Sequence, residues 1–213
     1  SDGRTPPEAL VPQALAAGVR TLAVTDHDTM AALAVVMAAA EGTGVRVVPG
    51  IEITAVHEGR DVHVLGYYLD AAGRELGAFL DAQRADRRRR MIEIVSVLDR
   101  LGVPVDPAPL LARATGAGKA VGRPMVAEAM VAAGHARDIS DAFERFLAEG
   151  RPAFVARIGP TPSAVVAIIS RAGGLASLAH PGKTGVDALV GELAAAGLPA
   201  IEVRNMALVI ADP

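Results

Sequence analysis

An alternation of short apolar strands and helices limits the possible folds of this 213-residue chain most strongly. Residues 1–70 contain a helix pattern in "PPEALVPQALAAG", an apolar strand in "VRTLAVT", a helix over 29–44 and the strands "VRVVPGIEITAV" and "RDVHVLGYYL". The same order returns later, where a helix in "TPSAVVAIISRAGG" precedes the strand "LASLA", a helix over 185–196 and the strand "AIEV". Short connections marked by glycine, in this order, predict an α/β fold with largely parallel strands.

The middle of the chain follows a different pattern. Residues 71–154 are helical in pattern without a convincing strand, as in "RELGAFLDAQRADRRRRMIEIVSVLDRLG". We therefore expect a helical insertion subdomain over 71–154, between two parts of one α/β domain formed by residues 1–70 and 155–213. We interpret the run Arg87–Arg90 as the solvated face of a long helix, with an anion-binding patch as the alternative.

The chain contains no cysteine, which excludes disulfides, thiolate metal sites and cysteine nucleophiles. Histidines and carboxylates remain as possible metal ligands. The formal charge of −3 gives no reason to expect that the whole surface binds long nucleic acid. Because no apolar run approaches the roughly 20 residues that span a bilayer, we predict a cytoplasmic protein without a membrane partner.

Ionisable side chains accompany four of the predicted strands: His27 after "LAVTD", Glu52 in "PGIEIT", His63 in "DVHVLGY" and His180 after "LASLA". In parallel α/β folds, functional groups gather where strands end, so residues from separate strands can converge on one site. Each residue alone is equally well a core histidine or, for Glu52, an ion-pair partner. Together, three imidazoles and a carboxylate suit Zn, Mn or Fe, which would make hydroxide available near neutral pH.

Two carboxylates flank His27 in the motif "TDHDT". Such residues either orient the imidazole ring or cap the helix that follows. We favour helix-start chemistry for Asp28, with Thr29 placed to cap the helix, and leave the role of Asp26 open.

Six motifs, "SDG", "TDHDT", "PGIE", "VHVLGY", "GRP" and "LAHPG", occur in one order along the chain. With this set the chain resembles the polymerase and histidinol phosphatase (PHP) domain family over residues 1–70 and 155–205, and more loosely between them. It is similar in particular to small members that act as 3′,5′-nucleotide bisphosphate phosphatases or short-oligonucleotide 5′ exonucleases. The resemblance implies a distorted (β/α)7 barrel of the PHP type that holds up to three divalent ions (Mn2+, Zn2+ or Fe2+) at the carboxyl ends of its strands.

The resemblance also implies roles for individual residues. Asp2 and His27 resemble ligands of one outer metal, and Glu52 resembles the carboxylate that bridges the other two. His63 and His180 resemble ligands of the metal on the far side. By its residues alone, "SDG" around Asp2 is also simply a turn. We expect Glu52, His27 and His180 to carry the catalysis.

Substrate binding requires positive charge outside the metal cluster. Arg123 of "GRP" resembles an arginine that holds a phosphate in similar enzymes, and a guanidinium fork suits this task. Lys119, Arg157 and Lys183 are weaker candidates, because each is also explained as an ordinary surface cation.

The chain departs from the family pattern at three places. The sequence has no "HxH" element before "SDG" and no "SDxH" element near "MALVIADP", and Met125 stands where relatives commonly carry a His in "GRPH". Either the two missing elements belong to the protein but lie outside this sequence, or the protein is naturally truncated and its metal cluster is incomplete. We expect the former, because a barrel without its opening strand would leave backbone groups unpaired.

Taken together, the sequence predicts a metal-dependent hydrolase that removes a phosphomonoester from a small nucleotide, with a 3′,5′-nucleotide bisphosphate as the first choice. A 5′→3′ exonuclease acting on short oligonucleotides is the first alternative. Histidinol-phosphate phosphatase is a further one. The alternative outside enzymes is a PHP-like scaffold whose cluster has decayed and which binds a partner.

Overall fold

The computed structural model describes residues 5–115, 121–181 and 187–202. The chain divides into two compact units. We call Ser1–Leu80 together with Gly159–Pro213 the strand unit, and Asp81–Ile158 the helical unit. Within the described residues, no helix is both long enough and apolar enough to cross a membrane.

The strands and helices follow the mixed order that the sequence predicts. Strands β1 to β5 are Thr21–Val24, Arg46–His57, Arg60–Tyr67, Leu175–Leu178 and Ala200–Ile201. Helices α1 to α8 are Pro7–Ala16, Leu33–Ala40, Arg74–Arg100, Pro107–Thr115, Arg123–Ala132, Ile139–Ala142, Pro162–Arg171 and Asp187–Ala195. A π-helical turn, Phe143–Leu147, follows α6 directly. Every described strand lies in the strand unit.

The strands form one five-stranded sheet in the order β1-β2-β3-β4-β5. β1 pairs with β2 and β4 with β5 in parallel, whereas the β2–β3 and β3–β4 pairings are antiparallel. The α/β class is therefore confirmed, but the prediction of largely parallel strands is wrong for the two central pairings. Among the described residues the sheet is open and does not close into a barrel.

The turn between β2 and β3 explains the first antiparallel pairing. Glu58 and Gly59 connect the paired residues His57 and Arg60, and both have positive φ, 49° and 79°. Positive φ at both central residues is the geometry of the tight I′ turn, whose twist matches that of an antiparallel hairpin. The chain therefore returns directly alongside β2 instead of crossing over through a helix.

Alternation along the hairpin gives the sheet two chemically different faces. Ile51 and Ile53 of β2 pair with Gly66 and Val64 of β3, and these residues belong to the face that packs against α7. Because successive side chains of a strand point to opposite faces, the residues between them lie on the other face. This second face, called the site face below, carries Glu52, Thr54, His63, Leu65 and Tyr67.

Helix α2 is shorter than the helix predicted over 29–44. It begins at Leu33 after Ala32, which has no side chain able to cap it, and ends at Ala40. The Thr29 hydroxyl oxygen instead accepts a hydrogen bond from the backbone N–H of Ala31 at 3.2 Å. Thr29 thus closes a local turn, and its assignment as the helix cap is wrong, since Ser and Thr side chains support such turns as readily as caps.

The helical unit has its own apolar core, built from buried side chains of α3, α5 and the π-helical turn. Its largest fully buried members are Met91, Ile94, Leu98, Met130 and Leu147. The interpretation of Arg87–Arg90 as a solvated face is wrong for Arg90, which is 6% exposed. The Arg90 Nε–H donates to the carbonyl oxygen of Val155 at 2.7 Å. Four consecutive residues cover most of a helical turn, so such a run reaches the buried side of the helix.

A buried carboxylate, Asp141, fixes the segment around α6. It accepts hydrogen bonds from the Arg137 backbone N–H and guanidinium, both at 3.0 Å, and from the Arg145 guanidinium at 3.1 Å. The pKa of Asp141 is lowered from 3.8 to about 2. The backbone hydrogen bond from Arg137 is the main cause, and the contacts with the guanidinium groups of Arg137 and Arg145 add to it. Asp138 caps α6 by accepting from the Asp141 N–H at 2.8 Å.

Candidate metal centre

The β2–β3 hairpin places Glu52 and His63 on the site face. Glu52 pairs with Leu65 and Thr54 pairs with His63, so Glu52 and His63 are diagonal neighbours across two adjacent strands. Both residues lie inside their strands, whereas the sequence predicted groups collected at strand ends. Only His27 and His180 follow the ends of β1 and β4. A hairpin therefore supplies half of this arrangement.

His27 lies in the loop after β1, and backbone hydrogen bonds attach this loop to β2. The Glu52 N–H donates to the Asp26 carbonyl oxygen at 3.0 Å, and the Asp28 N–H donates to the Glu52 carbonyl oxygen at 2.8 Å. These bonds form an isolated parallel bridge between His27 and Glu52. The imidazole of His27 is thus held beside the Glu52 carboxylate by main-chain pairing on both sides.

The side chain of Asp28 strengthens the same attachment. Its buried carboxylate accepts a hydrogen bond from the Thr54 backbone N–H at 2.8 Å. Asp28 itself has φ of 51°, in the left-handed region that Asp tolerates better than most residues. The favoured helix-start role of Asp28 is therefore wrong: α2 begins at Leu33, and this carboxylate binds β2.

Four of the predicted site residues meet at this place. The Nδ1 atom of His63 lies 2.9 Å from Oε1 of Glu52 and 3.1 Å from Nε2 of His180. The same Nε2 atom of His180 is 3.3 Å from Glu52 Oε1, and Nε2 of His27 is 3.8 Å from Glu52 Oε2. The four side chains are between 16% and 22% exposed, so the cluster is largely buried but still accessible to solvent.

The surroundings of Glu52 favour its ionised form. Burial raises the pKa of this carboxyl, but the hydrogen bond from His63, the charges of His27 and His63 and the hydrogen bond from His180 together outweigh it. The pKa of Glu52 therefore lies below its usual value. A carboxylate that stays ionised is a competent cation ligand over a wide pH range.

The donor set fits a divalent cation. Ligand atoms about 2.1 Å from one ion lie about 3.0–3.5 Å apart, and the Glu52, His63 and His180 atoms are separated by 2.9 to 3.3 Å. Ligand atoms of His27, Glu52 and His63 also lie within 4.8 Å of one another. Imidazole nitrogens and a carboxylate oxygen are ligands that Zn, Mn and Fe ions bind in proteins. The buried Nδ1 atom of His180 has no hydrogen-bond partner among the residues that the structure describes.

The remaining predicted site residues lie either outside the described residues or in the helical unit. Asp2 and Lys119 lie outside the described residues, as does Lys183. Arg123 and Arg157 lie in the helical unit. The Arg123 guanidinium stands over the rings of Phe143 and Phe154, at 5.9 and 5.5 Å from their centroids, and donates to Leu147 O at 3.4 Å.

Two residues that lie near the cluster in the structure were not singled out from the sequence. Glu202 follows β5 as His27 follows β1, and its Oε2 accepts a hydrogen bond from the His180 N–H at 2.6 Å. Tyr67 lies on the site face, where burial and the charges of Glu202 and Glu52 raise the pKa of its phenol. The motif "AIEV" and the alternation from His63 to Tyr67 were signals that would have found both.

Comparison with known proteins identifies the family. The PHP domain profile matches residues 1–122, which is more than half of the chain. The chain belongs to the PHP family. It is 37% identical over 184 residues to a 5′-3′ exoribonuclease of Haemophilus influenzae, covering 85% of this chain and 65% of that protein. It is 35% identical over 193 residues to the 5′-3′ exoribonuclease Rnm of Escherichia coli, covering 88% of this chain and 64% of the relative.

A third relative is named for a different activity. The chain is 30% identical over 212 residues to the 3′,5′-nucleoside bisphosphate phosphatase of Chromobacterium violaceum, covering 96% of this chain and 73% of the phosphatase. A crystal structure from Bifidobacterium adolescentis, provisionally assigned as a metal-dependent phosphoesterase, superposes with a TM-score of 0.84 at 32% identity. That alignment covers 95% of this chain and 73% of the other. The chain spans just under two thirds of the length of the two exoribonucleases.

Proposed function

We propose that this PHP-family chain is a metal-dependent phosphoesterase that removes a phosphomonoester from a small nucleotide, with a 3′,5′-nucleoside bisphosphate as the first choice. The observation that carries the proposal is the convergence of three imidazoles on one ionised carboxylate, with His63 Nδ1 2.9 Å from Glu52 Oε1. The names of the phosphatase and exoribonuclease relatives support a phosphate ester as the substrate.

The two oxygens of Glu52 face different histidines. Oε1 lies beside His63 and His180, and Oε2 lies beside His27. Glu52, His63 and His180 would hold one divalent ion, and Glu52 with His27 would help to hold a second. Such ions, when bound, neutralise phosphate charge and lower the pKa of a water molecule, so that hydrolysis proceeds near neutral pH.

The remaining residues have roles within the same proposal. Asp2 would add a carboxylate beside His27, and the chain would contribute its strands to a PHP barrel. Arg123 would hold a phosphate of the substrate, for which its planar guanidinium is suited, with Lys119 and Arg157 as weaker candidates. Arg123→Lys tests this role: loss of the two-pronged contact raises KM more than it lowers kcat. An unchanged KM contradicts it.

Exonuclease action on short oligonucleotides is the second candidate, because the two exoribonucleases share 37% and 35% identity with this chain, against 30% for the phosphatase. Both reactions use the same ligands, so the substrate decides between them. The exonuclease releases mononucleotides from a 5′-phosphorylated trinucleotide, whereas the phosphatase releases only inorganic phosphate from a nucleoside bisphosphate.

The decisive experiment measures both products from the purified full-length protein supplied with Mn2+, Zn2+ or Fe2+. We expect inorganic phosphate from adenosine 3′,5′-bisphosphate, and loss of this activity on Glu52→Gln. His57→Ala is the matched control, because His57 ends β2 in the hairpin turn. Neither phosphate nor mononucleotide release, together with no bound metal by elemental analysis, would favour the scaffold alternative.

A further inference from the structure

Glu202, the first residue after β5, contacts the backbone of His180, the second residue after the end of β4. Its Oε2 accepts a hydrogen bond from the His180 backbone N–H at 2.6 Å. Its own backbone N–H donates to the Leu178 carbonyl oxygen at 2.8 Å, continuing the parallel β4–β5 pairing. The backbone of Glu202 is thus fixed to β4, and the charge-assisted hydrogen bond that its carboxylate accepts holds the backbone of His180, two residues beyond β4.

His180 has a backbone conformation that requires such a contact. Its φ is 32°, in the left-handed region that residues with a Cβ atom rarely adopt. Pro181 follows directly, and a proline restricts the backbone of the residue before it. Sparsely populated conformations of this kind persist only where surrounding contacts hold them, and they cluster at functional sites.

The conformation of His180 decides where its imidazole lies. The preceding Ala179 N–H donates to the His63 carbonyl oxygen at 3.0 Å, which fixes the chain up to that residue. Beyond it, the positive φ of His180 turns the side chain towards the site face, where Nε2 lies 3.1 Å from His63 Nδ1. Any relaxation of this φ would carry Nε2 away from Glu52 and His63.

We propose that Glu202 is the positioning residue of His180: it holds the His180 amide and so fixes the imidazole in the orientation that completes the metal centre. The proposal rests on the proposed function for the statement that this centre binds divalent cations. The charge of Glu202 also reaches the site face, where it adds to burial in raising the pKa of Tyr67. The effect of Glu202 on the metal centre is nevertheless expected to run through the hydrogen bond that it accepts from His180.

Three variants test the hydrogen bond. Glu202→Met keeps the length of the side chain and removes the acceptor, whereas Glu202→Gln keeps an acceptor oxygen and removes the charge. Glu192→Gln, at an exposed position of α8, is the matched control. The probe is Co2+, titrated into metal-free full-length protein and followed by its visible absorption, which reports both affinity and the number of ligands.

We expect Glu202→Met to weaken Co2+ binding about 10- to 100-fold, as the loss of a residue that orients a ligand does. Glu202→Gln is expected to restore the affinity to within about threefold, since the amide oxygen still accepts from the His180 N–H. Wild-type affinity in Glu202→Met overturns the proposal. Equal weakening in Glu202→Met and Glu202→Gln also overturns it, because the charge rather than the hydrogen bond would then be responsible.

A second measurement is independent of metal. In the metal-free protein, the side-chain 1H–15N signals of His180 report the orientation and hydrogen bonding of its ring. Glu202→Met is expected to shift or broaden these signals, and Glu192→Gln is not. Unchanged His180 signals overturn the positioning role even if the protein binds no Co2+, whereas shifted signals without Co2+ binding would contradict only the proposed function.

Discussion

The buried Asp28 carboxylate accepts a hydrogen bond from the backbone N–H of Thr54 at 2.8 Å, and this side-chain contact adds to the backbone hydrogen bonds that attach the loop carrying His27 to the strand carrying Glu52. A hydrogen bond to a charged buried group contributes about 1.5–3 kcal/mol. Asp28→Ala is therefore expected to lower the free energy of unfolding by this amount and to weaken metal binding. Chemical denaturation and Co2+ titration measure the two effects.

Asp28→Asn is the matched variant for this test, because its amide oxygen still accepts from the Thr54 N–H. It is expected to recover most of the stability and most of the metal affinity. An Asp28→Ala protein with the wild-type free energy of unfolding would show that the contact does not hold the loop.

Metal binding is expected to raise the melting temperature. A ligand present at about one hundred times its dissociation constant stabilises the folded state by about 2.7 kcal/mol, which corresponds to roughly 5–10 °C for a chain of this size. Scanning calorimetry with and without Mn2+ or Zn2+ measures the shift. His63→Ala is expected to abolish most of it, because His63 Nδ1 is 2.9 Å from Glu52 Oε1.

His57→Ala serves as the control for this measurement, since it removes the same side chain from the turn end of β2. It should preserve the metal-induced shift. A shift that survives in His63→Ala, or disappears equally in His57→Ala, would place the cation elsewhere.

Gly50 allows the end of β1 to approach β2 closely. A Cβ atom at this position would lie 2.9 Å from the carbonyl oxygen of Val24 and 2.9 Å from Cγ2 of Thr25. Because the backbone must move to relieve this overlap, Gly50→Ala is expected to destabilise the protein by about 1–3 kcal/mol. It should also weaken Co2+ binding, since the displaced segment leads into His27.

The contrasting variant is Gly191→Ala in α8, where nothing lies within 4 Å of the added Cβ atom. A helix interior favours Ala over Gly by up to about 1 kcal/mol, so this change should stabilise the protein and leave metal binding unaltered. Urea denaturation compares the two. Equal behaviour of both glycine variants would count against the close approach at Gly50.

The pH dependence of stability is expected to include a contribution from Asp141 in the helical unit. Its pKa is lowered to about 2 by hydrogen bonds from Arg137 and Arg145. Because the pKa of Asp141 is lower in the folded state, the unfolded chain binds the proton more readily. The contribution of Asp141 to the free energy of unfolding is therefore fully present above pH 3.8 and is lost as the pH falls towards 2.

Thermal melts of the wild type and of Asp141→Asn between pH 7 and pH 2 measure this contribution. The wild type should melt a few degrees higher at pH 7, and the difference should shrink as the pH falls below 4. Asp138→Asn, which keeps a capping oxygen for the Asp141 N–H, should show little change. A difference that stays constant down to pH 2 would contradict the role of the ionised Asp141.

The sequence predicted the α/β class and which residues form the cluster, but it did not predict how these residues are arranged. His27, Glu52, His63 and His180 were recognisable because ionisable groups in apolar strands are costly without a partner. Their arrangement depended on the strand direction, which the positive φ of Glu58 and Gly59 sets. The residues "HEGR" between these strands already mark a hairpin turn in the sequence, whereas the prediction of largely parallel strands came from the alternating order of strands and helices.

Other features could not be predicted from the sequence, because they depend on contacts between distant parts of the folded chain. The contact of Asp28 with Thr54 joins residues that are 26 positions apart, so only the folded register reveals it. The burial of Arg90 depends on which side of α3 packs against the core of the helical unit. The hydrogen bond from His180 to Glu202 requires the parallel pairing of β4 and β5, which no local pattern specifies.

The tight turn at Glu58 and Gly59 also has a consequence for folding kinetics. Glu52 and His63 become neighbours as soon as the hairpin closes, an event that takes microseconds in isolated peptides. His180 is 117 positions from His63 and must wait for long-range docking of β4. We therefore expect folding to bring two of the candidate ligands together early, and His180 to join them only after β4 has docked.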